Sequence, residues 1–246
     1  MNEPIWQPSA QRIAASNLTR FIAEERSQLR SDAYGALYEW SVARPAEFWA
    51  AVWRFCGIRA STPYRTVLVE RERMPGARWF EGARLNFAEN LLAPQRDGAA
   101  VIFANERGER SELSWSELRR QVANVAAALR EYGVEPGDRV AGLVANRPEA
   151  VVAMLASASI GAVWSSCSPD FGIDAVLDRF GQIEPKVLFA TDGYFYNGKS
   201  FDSMPAVRAV AARLPGLRSV VVVPYRSAVP DLAGLPRAAL FDDVAQ

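Results

Sequence analysis

The stretch that decides the fold runs from Val163 to Lys199 and reads VWSSCSPDFGIDAVLDRFGQIEPKVLFATDGYFYNGK. It begins with a β-prone run at 163–167, continues through a turn and an amphipathic helix, and reaches a second β-prone run at 186–190. A loop rich in aromatic and glycine residues follows at 191–199. This order predicts a βαβ unit. Loops after parallel strands lie at the carboxyl edge of a sheet, where open α/β folds bind ligands.

The alternation of strand and helix signals continues on both sides of this unit, from residue 99 to residue 224. It includes a predicted hairpin at 100–113, a capping box that opens a helix at Ser114, and a further helix expected to use Asn146 as its N-cap. Such alternation with short connections is typical of an α/β fold with a doubly wound, mainly parallel sheet and right-handed crossovers.

The region before this alternation is rich in aromatic residues and helical signals. Pro45 opens a helix whose apolar stripe has the i, i+3, i+4 spacing of a buried face. The stripe consists of Phe48, Trp49, Val52, Trp53 and Cys56. Such aromatic residues are typical of packing against a neighbour, although they could also stack on a cofactor. We therefore predict a helical and loop N-terminal segment over 1–97 and an α/β domain over 98–246.

Composition restricts the function classes. The chain has 246 residues, 28 basic and 28 acidic side chains, and no histidine. This neutral balance gives no global electrostatic reason to bind nucleic acid or an acidic membrane. The absence of histidine excludes Ser-His-Asp and Cys-His catalysis and nearly all zinc catalysis, so no metal site is predicted.

The sequence also predicts a cytoplasmic protein. It contains no apolar run of about 18 residues, so no membrane span is expected. Its N-terminus lacks the basic start and apolar stretch of a secretory signal. The two cysteines, Cys56 and Cys167, lie far apart in sequence and fit a reducing compartment.

Candidate binding residues follow the two strands of the opening stretch. Phe171 comes just past the first strand, and Tyr196, Asn197, Gly198 and Lys199 come past the second. If those strands are neighbours, both groups rim one crevice. An aromatic face stacks on a purine, Gly198 allows close backbone approach, and Lys199 supplies a cation for a phosphate. These features fit an adenine nucleotide with a terminal phosphate, and they are equally typical of turns packed on a neighbour.

Other polar residues of the stretch have open roles. Asp170 and Asp192 could be ligands or bases, although such residues more often cap helices or solvate loops. Lys186 and Lys199 are the two lysines of the chain, and Lys186 is expected to open a strand. The G-x-x-x-x-G-K-[ST] and G-x-G-x-x-G phosphate-binding motifs do not occur. No catalytic residue is assigned.

Several motifs resemble the N-terminal part of the acetoacetyl-CoA synthetases (acetoacetate–CoA ligases), a family within the adenylate-forming acyl-CoA synthetase superfamily. The specific ones are WSSCSPDFG at 164–172 and DRFGQIEPK at 178–186, supported by WFEGARLNFAENLL at 79–92 and LSWSEL at 113–118. The resemblance covers most of the chain. It implies that 98–246 is the first, incomplete half of an AMP-binding-type N-terminal domain.

The resemblance also implies chemistry. Enzymes of this family join ATP and a carboxylate into an acyl-adenylate, and coenzyme A then displaces AMP. ATP with Mg²⁺ and coenzyme A are therefore expected as substrates of the full-length enzyme, with none tightly bound by this chain. The adenine of coenzyme A is expected at Phe171 and at Tyr196, Asn197, Gly198 and Lys199. Lys199 and Tyr196 stand where related acetyl-CoA synthetases carry arginine.

Length favours a fragment, because members of the family are more than twice as long. The ATP-phosphate loop, the acyl pocket and the adenylation lysine of the family do not match residues here. We therefore expect an N-terminal ligase fragment, inactive alone, whose partners are weakly bound coenzyme A and a missing C-terminal portion. Two alternatives stay open: a free-standing module that binds coenzyme A or an adenine nucleotide, and a scaffold that uses the aromatic helices.

Overall fold

A computed structural model describes residues 5–29, 31, 34–94 and 96–246 of the chain. Its described helices are α1 (Ala10–Ala14), α2 (Asn17–Glu24), α3 (Tyr34–Ala43), α4 (Pro45–Phe55), α5 (Phe87–Leu92), α6 (Trp115–Glu131), α7 (Pro148–Ser159), α8 (Ile173–Ile183), α9 (Met204–Arg213) and α10 (Phe241–Ala245). Its described strands are β1 (Thr66–Val69), β2 (Arg78–Glu81), β3 (Ala99–Ala104), β4 (Arg110–Ser114), β5 (Arg139–Leu143), β6 (Val163–Cys167), β7 (Val187–Thr191), β8 (Gly193–Tyr196), β9 (Lys199–Asp202), β10 (Ser219–Val223) and β11 (Ala239–Leu240).

The chain divides into two compact units, the first ending at Leu85 and the second spanning Asn86–Gln246. Helix α5 and the β3–β4 hairpin therefore belong to the second unit. Asn86 fixes this start, since its Nδ2 donates to the backbone oxygens of Ala158 at 2.9 Å and Ser159 at 3.1 Å. The division into 1–97 and 98–246 stays a prediction about functional domains.

The first unit has an aromatic core built by α2, α3 and α4. Phe21 and Trp40 are buried, and the ring of Phe48 packs edge-on against both, with centroids 5.9 and 5.4 Å away. Helix α4 begins at Pro45, as the sequence predicts. The helical N-terminal segment of the prediction is therefore present.

The predicted buried stripe of α4 is partly wrong. Phe48 and Val52 pack on the core, whereas Trp49 and Cys56 are exposed. The helix ends at Phe55, and Cys56 is only its C-cap, so Phe55 takes the last core position.

The second unit is built on a parallel sheet. Within the described residues, five strands pair in the order β11-β10-β7-β5-β6, and every pairing in this sheet is parallel. The predicted doubly wound α/β fold is confirmed. However, β5 lies between β6 and β7, so the two strands of the opening stretch are not neighbours. The chain steps from β5 to β6 on one side and then crosses back to β7, which places the topological switch point between β5 and β7.

Helices cover both faces of this sheet. Alternate side chains of β7 enter opposite cores, with Val187 and Phe189 on the face of α6, α7 and α10, and Leu188 and Ala190 on the face of α8 and α9. All five residues of β7 and of β10 are buried. Because neither strand has a solvent face, both read as continuous apolar runs.

One of the two predicted N-caps in this unit is confirmed, and the other is wrong. Ser114 and Glu117 form the predicted capping box of α6. Asn146, however, is not the cap of α7. Pro148 occupies the first turn, and a residue before proline is held in extended backbone, so Arg147 takes the N-cap position.

Among the described residues, no helix has the length and apolar character needed to span a membrane.

Candidate ligand-binding site

A cavity of about 360 Å³ lies at the carboxyl edge of the sheet, beside the switch point. Its walls come from segments that follow four strands, namely 145–146, 168–170, 194–196 and Tyr225, and from 103–105 of the β3–β4 hairpin. Open α/β sheets bind ligands at this position because the loops diverge on either side of the switch point. The topology thus places a crevice at the carboxyl edge of the sheet, as the sequence predicts. This crevice lies around the end of β5, the strand between β6 and β7.

One wall of the cavity is aromatic and held by an arginine. Tyr225 packs edge-on against Phe195, with centroids 5.2 Å apart, and against Phe103 at 6.3 Å. The guanidinium of Arg147 lies 4.4 Å from the ring centroid of Tyr225. Arg147 is also paired with Glu149, 2.7 Å from carboxylate oxygen. The charge of Arg147 is therefore paired within the protein, and its guanidinium packs on the aromatic wall.

The carboxylate of Asp192 anchors the segment after β10. Asp192 is buried and accepts the backbone N–H groups of Tyr225 at 2.7 Å, Arg226 at 2.8 Å and Ser227 at 2.7 Å. Both of its oxygens are thus engaged by the backbone. This geometry makes Asp192 an anchor of the segment after β10, a role different from the ligand, base, helix cap or solvated loop residue considered from the sequence.

The predicted loop at 191–199 is wrong in its structure, because it contains a β-hairpin. Strands β8 and β9 pair antiparallel, with Tyr196 opposite Lys199. Asn197 has φ 51° and Gly198 has φ 73°, the left-handed values of a two-residue type I′ turn. Asn-Gly between two β-prone runs is the sequence signal for this turn. Gly198 is therefore required by turn geometry.

A second hairpin docks on this turn. Glu106, at the tip of the β3–β4 hairpin, accepts the N–H of Asn197 at 2.8 Å and of Gly198 at 2.9 Å. The neighbouring guanidinium of Arg107 lies 4.3 Å from the ring centroid of Phe195. Sequence reasoning missed Glu106, because no local pattern connects one hairpin tip to another far along the chain.

The predicted binding residues differ in whether they line the cavity. Tyr196 forms part of the cavity wall and is 70% exposed. Asn197, Gly198 and Lys199 continue from it as the hairpin tip and do not line the cavity in the described structure. Phe171 also lies outside the lining, one residue after Asp170, which does line it.

The ring of Phe171 forms a cation–π contact. Phe171 is 37% exposed, and the guanidinium of Arg179 lies 4.9 Å from its ring centroid. Arg179 is on α8, whereas Phe171 precedes that helix, so no helical spacing in the sequence connects the two residues. The exposed surface of Phe171 is thus an aromatic platform beside a positive charge.

Tyr194 adds a hydrogen-bond donor to the cavity wall. Burial raises the pKa of its phenol, and the negative charge of Asp170 raises the pKa further. Its ring stacks on Phe201, with centroids 4.8 Å apart. The phenol therefore stays protonated at neutral pH.

Lys186 is used at the opposite edge of the sheet. It precedes β7, and its Nζ lies 2.5 Å from a carboxylate oxygen of Asp138. Burial acts to raise the pKa of Asp138, but hydrogen bonds from Lys186 and from the N–H of Glu135 outweigh it and lower the pKa. Lys186 is thus a structural ion-pair partner.

Family models match both parts of the chain. The model for the AMP-binding enzymes matches residues 88–244. The model for the acetyl-coenzyme A synthetase N-terminus matches residues 34–91.

Individual relatives agree with these matches. The chain is 44% identical over 244 residues to an acetoacetyl-CoA synthetase from Danio rerio, covering 97% of this chain and 36% of the relative. It is 46% identical over 224 residues to an acetoacetyl-coenzyme A synthetase from Rhizobium meliloti (strain 1021), covering 90% and 34%. The chain therefore spans about a third of the length of these curated relatives.

A solved structure gives the same result in three dimensions. The acetoacetyl-CoA synthetase from Streptomyces lividans superposes with a TM-score of 0.89 at 45% sequence identity, covering 99% of this chain and 38% of that one. Taken together with the family model that matches most of the second unit, these findings show that the chain belongs to the AMP-binding enzyme family.

Proposed function

We propose that this chain is the N-terminal part of an acetoacetate–CoA ligase. The reaction joins acetoacetate, ATP and coenzyme A into acetoacetyl-CoA, AMP and pyrophosphate through an acyl-adenylate. The observation that carries the proposal is the identity of 44 to 46% to acetoacetyl-CoA synthetases over at least 90% of the chain. Because the chain spans about a third of those relatives, the proposal assigns the rest of the ligase to a C-terminal portion outside this sequence.

Within this chain, the proposal assigns one end of coenzyme A to the carboxyl edge of the sheet. Phe171, with Arg179 beside its ring, would stack on the adenine, and Lys199 would bind a phosphate. Tyr196 supports this assignment because it joins the cavity wall to the hairpin tip formed by Asn197 and Gly198. The bond-forming steps are not assigned to residues of this chain.

ATP with Mg²⁺ belongs to the proposed complete enzyme. Among the described residues, no group of three or more acidic or cysteine side chains is placed to hold a metal ion. A cytoplasmic location stays a prediction from the sequence.

Calorimetric titration of the 246-residue chain tests the assignment of coenzyme A. We expect coenzyme A to bind about tenfold more tightly than 3′-dephospho-coenzyme A, since Lys199 adds a charge-assisted hydrogen bond to the extra phosphate. Lys199→Ala should abolish this preference and Lys199→Arg should keep it. Arg213→Ala removes an exposed cation on α9 and serves as the matched control. Absence of binding at millimolar ligand would contradict the assignment.

The proposed reaction is tested separately with the complete reading frame that contains this sequence. We expect pyrophosphate release that depends on acetoacetate, ATP and coenzyme A together. Acetate serves as the competing acid. Equal rates with acetate would overturn the acetoacetate assignment while leaving an acyl-CoA ligase in place.

A further inference from the structure

The tip of the β8–β9 hairpin has the geometry of an anion site. In a two-residue turn, the two central residues face outward and leave the strand ladder. Asn197 and Gly198 are those residues, both with positive φ. Successive backbone N–H groups in a turn form a concavity that binds anions. Lys199, the next residue, brings a positive charge to the same end of the hairpin.

This anion site is already filled by a side chain of the protein. One carboxylate oxygen of Glu106 accepts the N–H of Asn197 at 2.8 Å, and the other accepts the N–H of Gly198 at 2.9 Å. Each oxygen thus has its own donor. The carboxylate therefore stands where two oxygens of a bound phosphate group would stand.

Glu106 is held in this position by the shape of its own turn. The side-chain oxygen of Asn105 accepts the N–H groups of Arg107 and Glu109, each at 3.0 Å. The amide nitrogen of Asn105 donates to the hydroxyl of Tyr225 at 3.2 Å, in the cavity wall. These contacts fix the β3–β4 turn against the edge of the sheet, with Glu106 directed at the hairpin tip.

We infer that Glu106 is an internal anion that occupies a phosphate site at the Asn197–Gly198 turn and excludes a ligand phosphate from it. A phosphate and the carboxylate cannot both accept the same two N–H groups. Their like charges would also repel each other at the turn. A phosphate-bearing ligand can therefore reach the side chain of Lys199, but it gains the backbone donors only when Glu106 leaves them. Glu106 thus sets how strongly the tip binds phosphate. The inference rests on the proposed function only for which ligand, coenzyme A, would bring the phosphate.

The test uses inorganic phosphate as the probe, so that it does not depend on coenzyme A binding. The backbone amide signals of Asn197 and Gly198 in the 246-residue chain are followed by nuclear magnetic resonance during a phosphate titration. In Glu106→Gln, which keeps the size and removes the charge, we expect both signals to shift with about tenfold higher apparent affinity than in the unmodified chain. Glu106→Ala should behave in the same way.

A matched control separates a site from a general charge effect. Glu112→Gln removes a carboxylate from the same hairpin that is paired with Arg110, and it should leave the titration unchanged. The inference is overturned if the control matches Glu106→Gln, if the unmodified chain binds phosphate at the turn equally well, or if no variant does. Amide hydrogen exchange is the second measurement. Faster exchange at Asn197 and Gly198 in both Glu106 variants is expected, and unchanged exchange would show that Glu106 does not occupy these donors.

Discussion

The carboxylate of Asp192, directly after β7, accepts the backbone N–H of Tyr225, two residues after the end of β10, at 2.7 Å. The contact joins the carboxyl ends of two neighbouring strands, β7 and β10. It also sets where the ring of Tyr225 enters the cavity wall. Asp192 therefore shapes the candidate site without facing a ligand.

Loss of the Asp192 charge should weaken the second unit. In the parent, the carboxylate accepts hydrogen bonds from three backbone N–H groups. In Asp192→Asn, only one side-chain oxygen remains to accept them, and the amide nitrogen is itself a donor. We expect the free energy of unfolding to fall by about 2–3 kcal/mol, as measured by urea denaturation. Asp174→Asn is the control, because that side chain is 93% exposed, and it should change stability by less than about 0.5 kcal/mol. Equal effects of the two variants would contradict the anchoring role.

Two glycines of the second unit should respond to alanine in opposite directions. A Cβ at Gly142, in the central strand β5, would lie 2.6 Å from the ring of Trp164, so Gly142→Ala should cost about 1–3 kcal/mol. A Cβ at Gly181, in α8, would meet nothing within 4 Å, so Gly181→Ala should add roughly 0.5–1 kcal/mol through helix propensity. The urea midpoints of the two variants should lie on either side of the parent. A shift in the same direction would refute the packing argument.

The ion pair between Lys186 and Asp138 should contribute stability that depends on pH. The pKa of Asp138 in the folded chain is below its ordinary value of 3.8. The contribution is therefore fully present above 3.8 and is lost as pH falls through the lower folded value. We expect the stability difference between the parent and Asp138→Asn to be constant near neutral pH and to shrink below about pH 4.

The partner residue provides the control for this prediction. Lys186→Gln should also be less stable than the parent at neutral pH, and combining it with Asp138→Asn should add less than the sum of the two single effects. A difference for Asp138→Asn that stays the same from neutral to acidic pH would show that the ion pair does not contribute through this carboxylate.

The aromatic platform at Phe171 should matter for binding rather than for folding. If it stacks on the adenine of coenzyme A, Phe171→Ala should weaken binding by about five- to a hundredfold, as measured by calorimetry. Phe171→Tyr should retain most of the affinity. Ile102→Ala removes another apolar side chain, 58% exposed on β3, and should leave affinity unchanged. Unchanged affinity in Phe171→Ala would remove this residue from the proposed site.

The sequence was sufficient for the class of fold because its signals are local. Each of these signals determines a nearby element. They are the apolar runs of β7 and β10, the capping box at Ser114 and Glu117, and the proline and glycine residues that end helices and form turns. The order of strands is not local, since β5 enters between β6 and β7 through crossovers that no short pattern encodes. The sequence therefore predicts that the residues after both strands of the opening stretch lie at one edge of the sheet. It does not determine whether those strands are neighbours, and in the structure β5 separates them.

The candidate site was predictable to a similar extent. Tyr196 reaches the cavity wall, and Asn197-Gly198 is a recognisable hairpin-turn signal within the segment predicted as a loop. Glu106 had none, because it meets Asn197 and Gly198 only through the docking of two hairpins. A contact between distant tips depends on tertiary structure, and sequence patterns of either hairpin alone do not contain it.

The two cysteines lie one in each compact unit, and they differ in accessibility. Cys56 is exposed after α4, whereas Cys167 is buried at the end of β6. Burial raises the pKa of the Cys167 thiol, partly opposed by the charge of Arg179, so its reactive thiolate is scarce in the folded chain. A thiol reagent would therefore label Cys56 at once and Cys167 only as the edge of the sheet opens. The sequence thus contains its own pair of chemical reporters, one for each compact unit.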